Sequence, residues 1–134
     1  MNNRSSTRRM TQSISINATP EKLWDLLTRI DNIADWYDTW DRADSAASEQ
    51  HLREGTSFRL IRRRTGRTDE IAHCHVTELL ELTRLQWMQS APHQPTASVS
   101  FDLVPNVTSG TTELRQTRTW TTDHRTKIHD ERRQ

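Results

Sequence analysis

The chain has 134 residues and a formal net charge of +1 at pH 7, so it fits one domain with a single core. A charge this close to zero gives no indication of a nucleic-acid partner, and no apolar run approaches the ~20 residues that a membrane span requires. Leu, Ile, Val and Phe together contribute only 24 residues, and such a low share suits a domain wrapped around a pocket.

The N-terminal part predicts one strand and two short helices. Residues 1–9 are polar and basic, so we expect a disordered tail; they lack the apolar run of a secretion signal, which favours a cytoplasmic location. Met10–Asn17 alternates in the manner of a strand. Thr19 is a good N-cap and Pro20 suits the first position of the helix that follows. Asp31 can cap the second short helix.

The rest of the chain predicts about six strands joined by hairpins, because apolar and polar residues alternate between turn residues. The predicted strands are Thr39–Ala47, Thr56–Arg64, Thr68–Leu80, Arg84–Gln89, Ala97–Leu103 and Thr111–Thr121. We therefore predict an α+β domain over residues 10–121 with one antiparallel sheet of six or seven strands. Residues 122–134 are expected to form a short polar tail or a short helix.

The stretch Asp69–Glu78 places two imidazoles side by side. Because side chains alternate along a strand, Ile71, His73 and His75 share one face, and Cys74 lies on the other. We expect the histidine face to point inward, as a polar spot in an apolar wall. Histidine titrates near neutral pH, so either imidazole is then a candidate acid or base.

Alternation on the other strands extends this face into a candidate ligand site, since apolar side chains with a few polar groups are the usual lining of a small-molecule pocket. The predicted ligand-binding residues are Trp36, Phe58, Leu60, Ile71, Leu85, Trp87, Val99, Phe101, Leu114, Gln116 and Trp120. The alternative is an ordinary core, in which the two histidines bond only to each other and to Gln116.

Two histidines on one strand face are also half of a zinc site. Zinc sites use three or four protein ligands, and the other four histidines fall in predicted loops or tails. The sequence therefore predicts no metal and no cofactor. Cys74 is the only cysteine, so no intrachain disulfide forms, and we expect it to act as a small buried hydrophobe.

Seven short pieces of the sequence follow one another at a distinctive spacing. They are Ile14–Trp24, Ile30–Trp36, Gly55–Arg59, Val76–Glu78, Leu85–Trp87, Phe101–Pro105 and Gly110–Leu114. In this order they resemble the START-like superfamily, also called SRPBCC, and within it the polyketide cyclase/dehydrase group. The resemblance implies a helix-grip-like fold, in which a curved antiparallel sheet holds a long C-terminal helix and a hydrophobic molecule lies between them.

The end of the chain departs from this pattern. After Trp120 the only aliphatic residue is Ile128, and a helix without an apolar stripe has little with which to bury itself. We therefore expect the C-terminal helix to be shortened or missing. An uncovered concave face would expose Leu114, Phe101, Trp87 and Trp120 as one patch. We therefore expect either a homodimer over that open face or a natural C-terminal segment that this sequence lacks.

The resemblance implies one of two functions. The first is binding of a polyketide- or lipid-like molecule with catalysis of its cyclisation or dehydration, in which His73 or His75 moves a proton beside a ketone while Arg118 and Gln116 hold its oxygen. The second is a non-catalytic carrier or regulatory partner that uses the same pocket. Trp36 matches the family's tryptophan after the second helix. His73 and His75 stand where cyclases commonly carry a serine and an arginine, and the missing arginine favours the carrier.

Overall fold

The computed structural model describes residues 5–37, 40–45 and 50–123. Its strands are β1 (Ser5–Ile16), β2 (Arg42–Asp44), β3 (Ser57–Arg62), β4 (Glu70–Leu80), β5 (Arg84–Ser90), β6 (Ala97–Asn106) and β7 (Thr111–Asp123). Its α-helices are α1 (Pro20–Thr28) and α2 (Ile33–Trp36), separated by a 3₁₀ helix at Ile30–Asn32. The strands form one antiparallel sheet in the order β1-β7-β6-β5-β4-β3-β2. The predicted α+β fold with a curved antiparallel sheet is confirmed.

Element boundaries differ from the prediction at both ends of the domain. β1 begins at Ser5 instead of Met10, because its first residues pair with the end of β7, as in Ser5 opposite Asp123. Part of the predicted N-terminal tail therefore lies in the sheet. Of the strand predicted over Thr39–Ala47, the described residues 40–45 contain the three residues of β2. The remainder of the predicted C-terminal tail or helix, residues 124–134, lies outside the described residues.

α1 starts at the predicted cap. The Thr19 hydroxyl accepts a hydrogen bond from the backbone N–H of Lys22 at 3.3 Å, and Pro20 takes the first helical position, which leaves fewer unsatisfied backbone N–H groups. The helix buries one face against the sheet, and full burial of a leucine side chain stabilises the fold by about 1.5–3 kcal/mol. The side chains on this face are Leu23, Trp24, Leu27 and Thr28.

The core lies between the concave face of the sheet and the two helices. Trp87 and Phe101 sit at its centre with 0% exposure. Two aromatic residues from the end of α2 cover them: Trp36 lies 5.0 Å from Phe101 and Tyr37 lies 5.3 Å from Trp87 between ring centroids. The prediction that Trp87 and Phe101 form part of an exposed patch is therefore wrong. Of that patch, Leu114 and Trp120 remain half-buried.

β4 buries the face opposite to the predicted one. Cys74 pairs with Phe58 of β3, and Val76 pairs with Trp87 of β5. Directly opposed residues of neighbouring strands project to the same side of a sheet, so the apolar residues of β4 join the core. The buried side chains of β4 are Ala72, Cys74 and Val76.

His73 and His75 are consequently exposed on the outer face, and their predicted inward orientation is wrong. Ile71 lies on the same outer face, half-buried and paired with Ile61, so its predicted place in the concave lining is also wrong. Burial of two imidazoles would carry a cost in desolvation free energy. Burial of the opposite face of β4, which carries apolar side chains, avoids that cost.

Candidate functional site

A cleft opens on the concave side between the end of α2 and strands β1 and β7. Its volume is about 340 Å³, near the lower end of small-molecule sites. Met10 pairs with Arg118, and Gln12 pairs with Gln116, so the two strands present these four side chains to one side. The cleft is lined by Met10, Gln12, Trp36, Tyr37, Gln116 and Arg118.

A second cleft of about 330 Å³ continues along the same face toward the loop between β5 and β6. Its lining residues are Met10, Gln94, Pro95, Ala97, Arg118 and Trp120. Because Met10 and Arg118 line both spaces, the two clefts adjoin at these side chains. We refer to the pair as the concave cleft.

Aromatic rings form the inner wall of the concave cleft. Trp36 packs edge-to-face on Phe101, with an interplanar angle of 87°, and lies 6.4 Å from Trp87. Edge-to-face pairs of this kind are the preferred geometry of aromatic side chains. Trp36 is only half-buried, so part of its ring surface is left to contact a molecule in the cleft.

A buried glutamine fixes the position of this wall. The Tyr37 hydroxyl donates a hydrogen bond to Oε1 of Gln89 at 3.0 Å, and the indole N–H of Trp87 donates to the same oxygen at 3.1 Å. The Cys74 thiol lies 3.9 Å from that oxygen. Sequence reasoning missed Gln89 and Tyr37. The available signal was the parity of β5, which places Gln89 on the face of Leu85 and Trp87.

The charge of the concave cleft is positive. Arg118 is half-buried and forms no hydrogen bond or ion pair with any residue that the structure describes. The Trp36 indole N–H is buried and also has no hydrogen-bond partner within the described ranges. Burial raises the pKa of the Cys74 thiol to about 12, and the charge of Arg118, which lines the concave cleft, opposes this rise.

The predicted site residues fall in three places. Trp36, Gln116, Arg118 and Trp120 line the concave cleft. Six others lie in the core beneath it, with Leu114 half-buried against them; these are Phe58, Leu60, Leu85, Trp87, Val99 and Phe101. Ile71, His73 and His75 lie on the outer face.

The lining residues contributed by β1 were also missed. Met10 and Gln12 have the same parity as Ile14 and Ile16, which the alternation of that strand already placed on one face. This parity was the signal that could have identified them.

The two histidines line a separate depression of about 370 Å³ on β3 and β4, together with Ser57, Phe58, Arg59 and Cys74. Nδ1 of His75 lies 3.0 Å from Oγ of Ser57, at hydrogen-bond distance. The surface around them, with Arg59 and His73, is open to solvent. Across the described ranges, no group of three or more His, Cys, Asp and Glu side chains is placed to hold a metal ion.

A curved antiparallel sheet with two short helices packed on its concave face, and a cleft beside those helices, defines an α+β ligand-binding fold of the helix-grip-like class. Comparison with protein families gives the more specific assignment. The family described as activator of Hsp90 ATPase homolog 1-like protein matches residues 17–132, and the chain belongs to this family. The START-like (SRPBCC) relationship predicted from the sequence is confirmed.

Solved structures share the fold at low sequence identity. The Zhui aromatase/cyclase from Streptomyces sp. R1128 is 14% identical, with a TM-score of 0.68 over 86% of this chain and 68% of that one. A protein of unknown function from Staphylococcus aureus is 11% identical, with a TM-score of 0.71 over 90% of this chain and 73% of that one. Identities at this level show similarity of fold alone.

The DynU16 protein of the dynemicin biosynthetic locus is 18% identical, with a TM-score of 0.62 over 84% of this chain. This chain covers only 37% of the length of DynU16. A search of curated proteins returns no match. Within the described residues, every helix is too short or too polar to cross a bilayer.

Proposed function

We propose that the concave cleft binds a hydrophobic or aromatic small molecule of polyketide- or lipid-like character. The observation that carries this proposal is the position of Trp36, whose half-buried ring lies between the aromatic core and the cleft. Trp120 provides a second partly exposed ring at the far end of the same face. Aromatic rings beside a small number of polar side chains are a common lining of small-molecule sites.

The lining favours a binding or carrier function over acid–base catalysis. The described lining of the concave cleft contains no Asp, Glu or His side chain, the groups that most often act as general acid or base. Catalysis by His73 or His75 requires that they reach the ligand, and both face away from it. Cyclisation or dehydration is therefore the second candidate, and it would depend on Arg118 and Gln116 to hold a carbonyl oxygen.

Quenching of intrinsic fluorescence tests the proposal. A panel of planar aromatic polyketides and fatty acids should quench tryptophan emission with micromolar midpoints, equivalent to ~8 kcal/mol of binding free energy. Trp36→Phe and Trp120→Phe should each remove a large part of the quenching. Trp24→Phe, which changes a buried tryptophan of α1 outside the cleft lining, is the matched control and should leave it intact.

Trp87→Ala is unsuitable for this purpose, because deletion of a fully buried tryptophan costs about 3–5 kcal/mol of stability. The proposal is wrong if no member of the panel gives saturable quenching. It is equally wrong if saturable quenching is unchanged in both Trp36→Phe and Trp120→Phe.

A further inference from the structure

Among the half-buried arginines that the structure describes, one lacks a counter-ion. Four of the described arginines are half-buried: Arg29, Arg62, Arg84 and Arg118. Arg84 contacts two carboxylates, Glu78 at 2.9 Å and Asp102 at 2.8 Å. Arg62 lies 3.2 Å from Glu70, and Arg29 lies 3.8 Å from Asp31. Arg118 alone has no carboxylate within reach in the described part of the chain.

The side chains that line the concave cleft beside Arg118 offer hydrogen-bond donors without a negative charge. Trp36 and Gln116 line the same cleft as Arg118, and the buried indole N–H of Trp36 has no acceptor among the described residues. Neither cleft is lined by a described Asp or Glu. A buried donor without an acceptor is costly, and a cationic donor is more so. The site therefore suits a molecule that supplies acceptor oxygens and a negative charge.

Apolar surface lies on both sides of the same arginine. Trp36 and Tyr37 lie on one side, and Trp120, Pro95 and Ala97 lie on the other. A molecule whose charged group contacts Arg118 can therefore place an apolar body along either half of the concave cleft. A single guanidinium forms a two-pronged contact that matches one carboxylate group. Arg118 is the one cation among the described lining residues of the two clefts, so a phosphate dianion would keep part of its charge uncompensated there.

We propose that the ligand of the concave cleft is a hydrophobic carboxylate whose anionic group pairs with Arg118. This inference rests on the proposed function and adds the charge of the ligand to it. Arg118 is then the residue that determines specificity, because it distinguishes a carboxylate from a neutral molecule of the same shape.

Matched acids and amides test the role of the charge. Titration calorimetry would compare 2-naphthoate with 2-naphthamide, and decanoate with decanamide, because each pair differs mainly in charge. Each acid should bind on the order of 10-fold or more tightly than its amide, as expected for a charge-assisted hydrogen bond. Added salt should weaken binding of the acid and leave binding of the amide unchanged.

Substitutions of two arginines on β7 complete the test. Arg118→Gln should lower the affinity for the acid to that for the amide, while Arg118→Lys should keep part of the preference. Arg115→Gln is the matched control, because Arg115 lies three residues earlier on the opposite face of the strand, exposed and paired with Glu113 at 3.2 Å. It should retain the full preference for the acid.

The outcomes separate this inference from the proposed function. Equal affinity for acid and amide, with both binding saturably, would overturn the inference and leave the proposed function standing. Loss of the acid preference in Arg115→Gln as well would also overturn it, because any positive charge would then suffice. Failure of the whole fluorescence panel would instead refute the proposed function. If Arg118→Gln binds neither molecule, Arg118→Lys decides: a retained acid preference supports the inference, and equal binding overturns it.

Discussion

The hydrogen bonds to Gln89 give a quantitative prediction about stability. Tyr37 and Gln89 are only 1% and 3% exposed. Tyr37→Phe removes one donor, but Oε1 of Gln89 keeps the bond from Trp87 at 3.1 Å, so the cost is one net buried hydrogen bond, about 0.5–1.5 kcal/mol. Gln89→Leu removes the acceptor that both buried donors use, at about 1–3 kcal/mol for each, or about 2–6 kcal/mol together. Gln89→Leu should therefore be the more damaging change.

Guanidinium denaturation of the single and double variants measures these terms. The double variant Tyr37→Phe/Gln89→Leu should cost less than the sum of the two single changes, because Phe leaves no hydroxyl to bury. Gln86→Leu, on the outer face of the same strand with hydrogen bonds to Thr77 and Arg84, is the control and should cost about 1 kcal/mol. A Gln89→Leu protein as stable as Tyr37→Phe would refute the reasoning, because it would show that the buried donors do not depend on this acceptor.

Three smaller predictions follow from local geometry. Burial raises the pKa of Cys74 to about 12, so a thiol reagent should react slowly with the folded protein and quickly in denaturant; fast reaction of the folded form would contradict this. The free energy of unfolding should also fall as pH rises from about 9 toward 12, because the thiol of the unfolded chain loses its proton first. Gly66 has φ +70° with open space around it, so Gly66→Ala should cost about 1 kcal/mol in denaturation through backbone strain alone, and an equally stable variant would argue against that turn. The hydrogen bonds and charge of Arg59 lower the pKa of Asp44. The small stabilisation from this pair should therefore be present above the ordinary pKa range of carboxyl groups and be lost as pH falls through the lowered pKa of Asp44. An NMR titration of Asp44 that is unchanged by Arg59→Gln would disprove this.

Much of the architecture was predictable because it depends on local chemistry. Thr19 and Pro20 determine where α1 begins, through a side-chain acceptor and a fixed φ angle that suit the first turn. Glycines with positive φ at Gly55, Gly66 and Gly110 occupy turns where L-residues are strained, and they separate the strands as predicted. Alternation of apolar residues gave the right strand count and most of the core.

The orientation of β4 was not predictable from alternation alone. Alternation divides a strand into two faces, but the register with neighbouring strands decides which face is buried. The buried face of β4 is the one whose residues pair with the core: Cys74 lies opposite Phe58, and Val76 lies opposite Trp87. Neither pairing can be read from a single sequence. The register also shifts between Val76 and Glu78, so a parity carried from one end of β4 to the other reverses at that bulge.

The last prediction concerns the homodimer expected over the open concave face. Trp36 and Tyr37 cover the centre of that face, so the apolar surface left for a partner is smaller than the sequence suggested. Its most exposed members on β1 are Met10 and Ile14, at 55% and 60%, with Leu114 and Trp120 half-buried on β7. Apolar patches of this kind are typical of protein contacts, and the expected assembly therefore pairs the β1–β7 halves of two chains.

A dimer formed in this way would use Met10 and Trp120, which also line the concave cleft. Assembly and ligand binding should consequently compete. Sedimentation velocity should show a fraction of dimer that rises with protein concentration. Addition of a ligand that binds the concave cleft should dissociate this dimer. Ile14→Lys, at a position outside the lining of the concave cleft, should abolish the dimer and leave ligand affinity unchanged or improved. A chain that stays monomeric at every concentration would rule out the dimer, and a dimer that ligand does not affect would show that it forms on another surface.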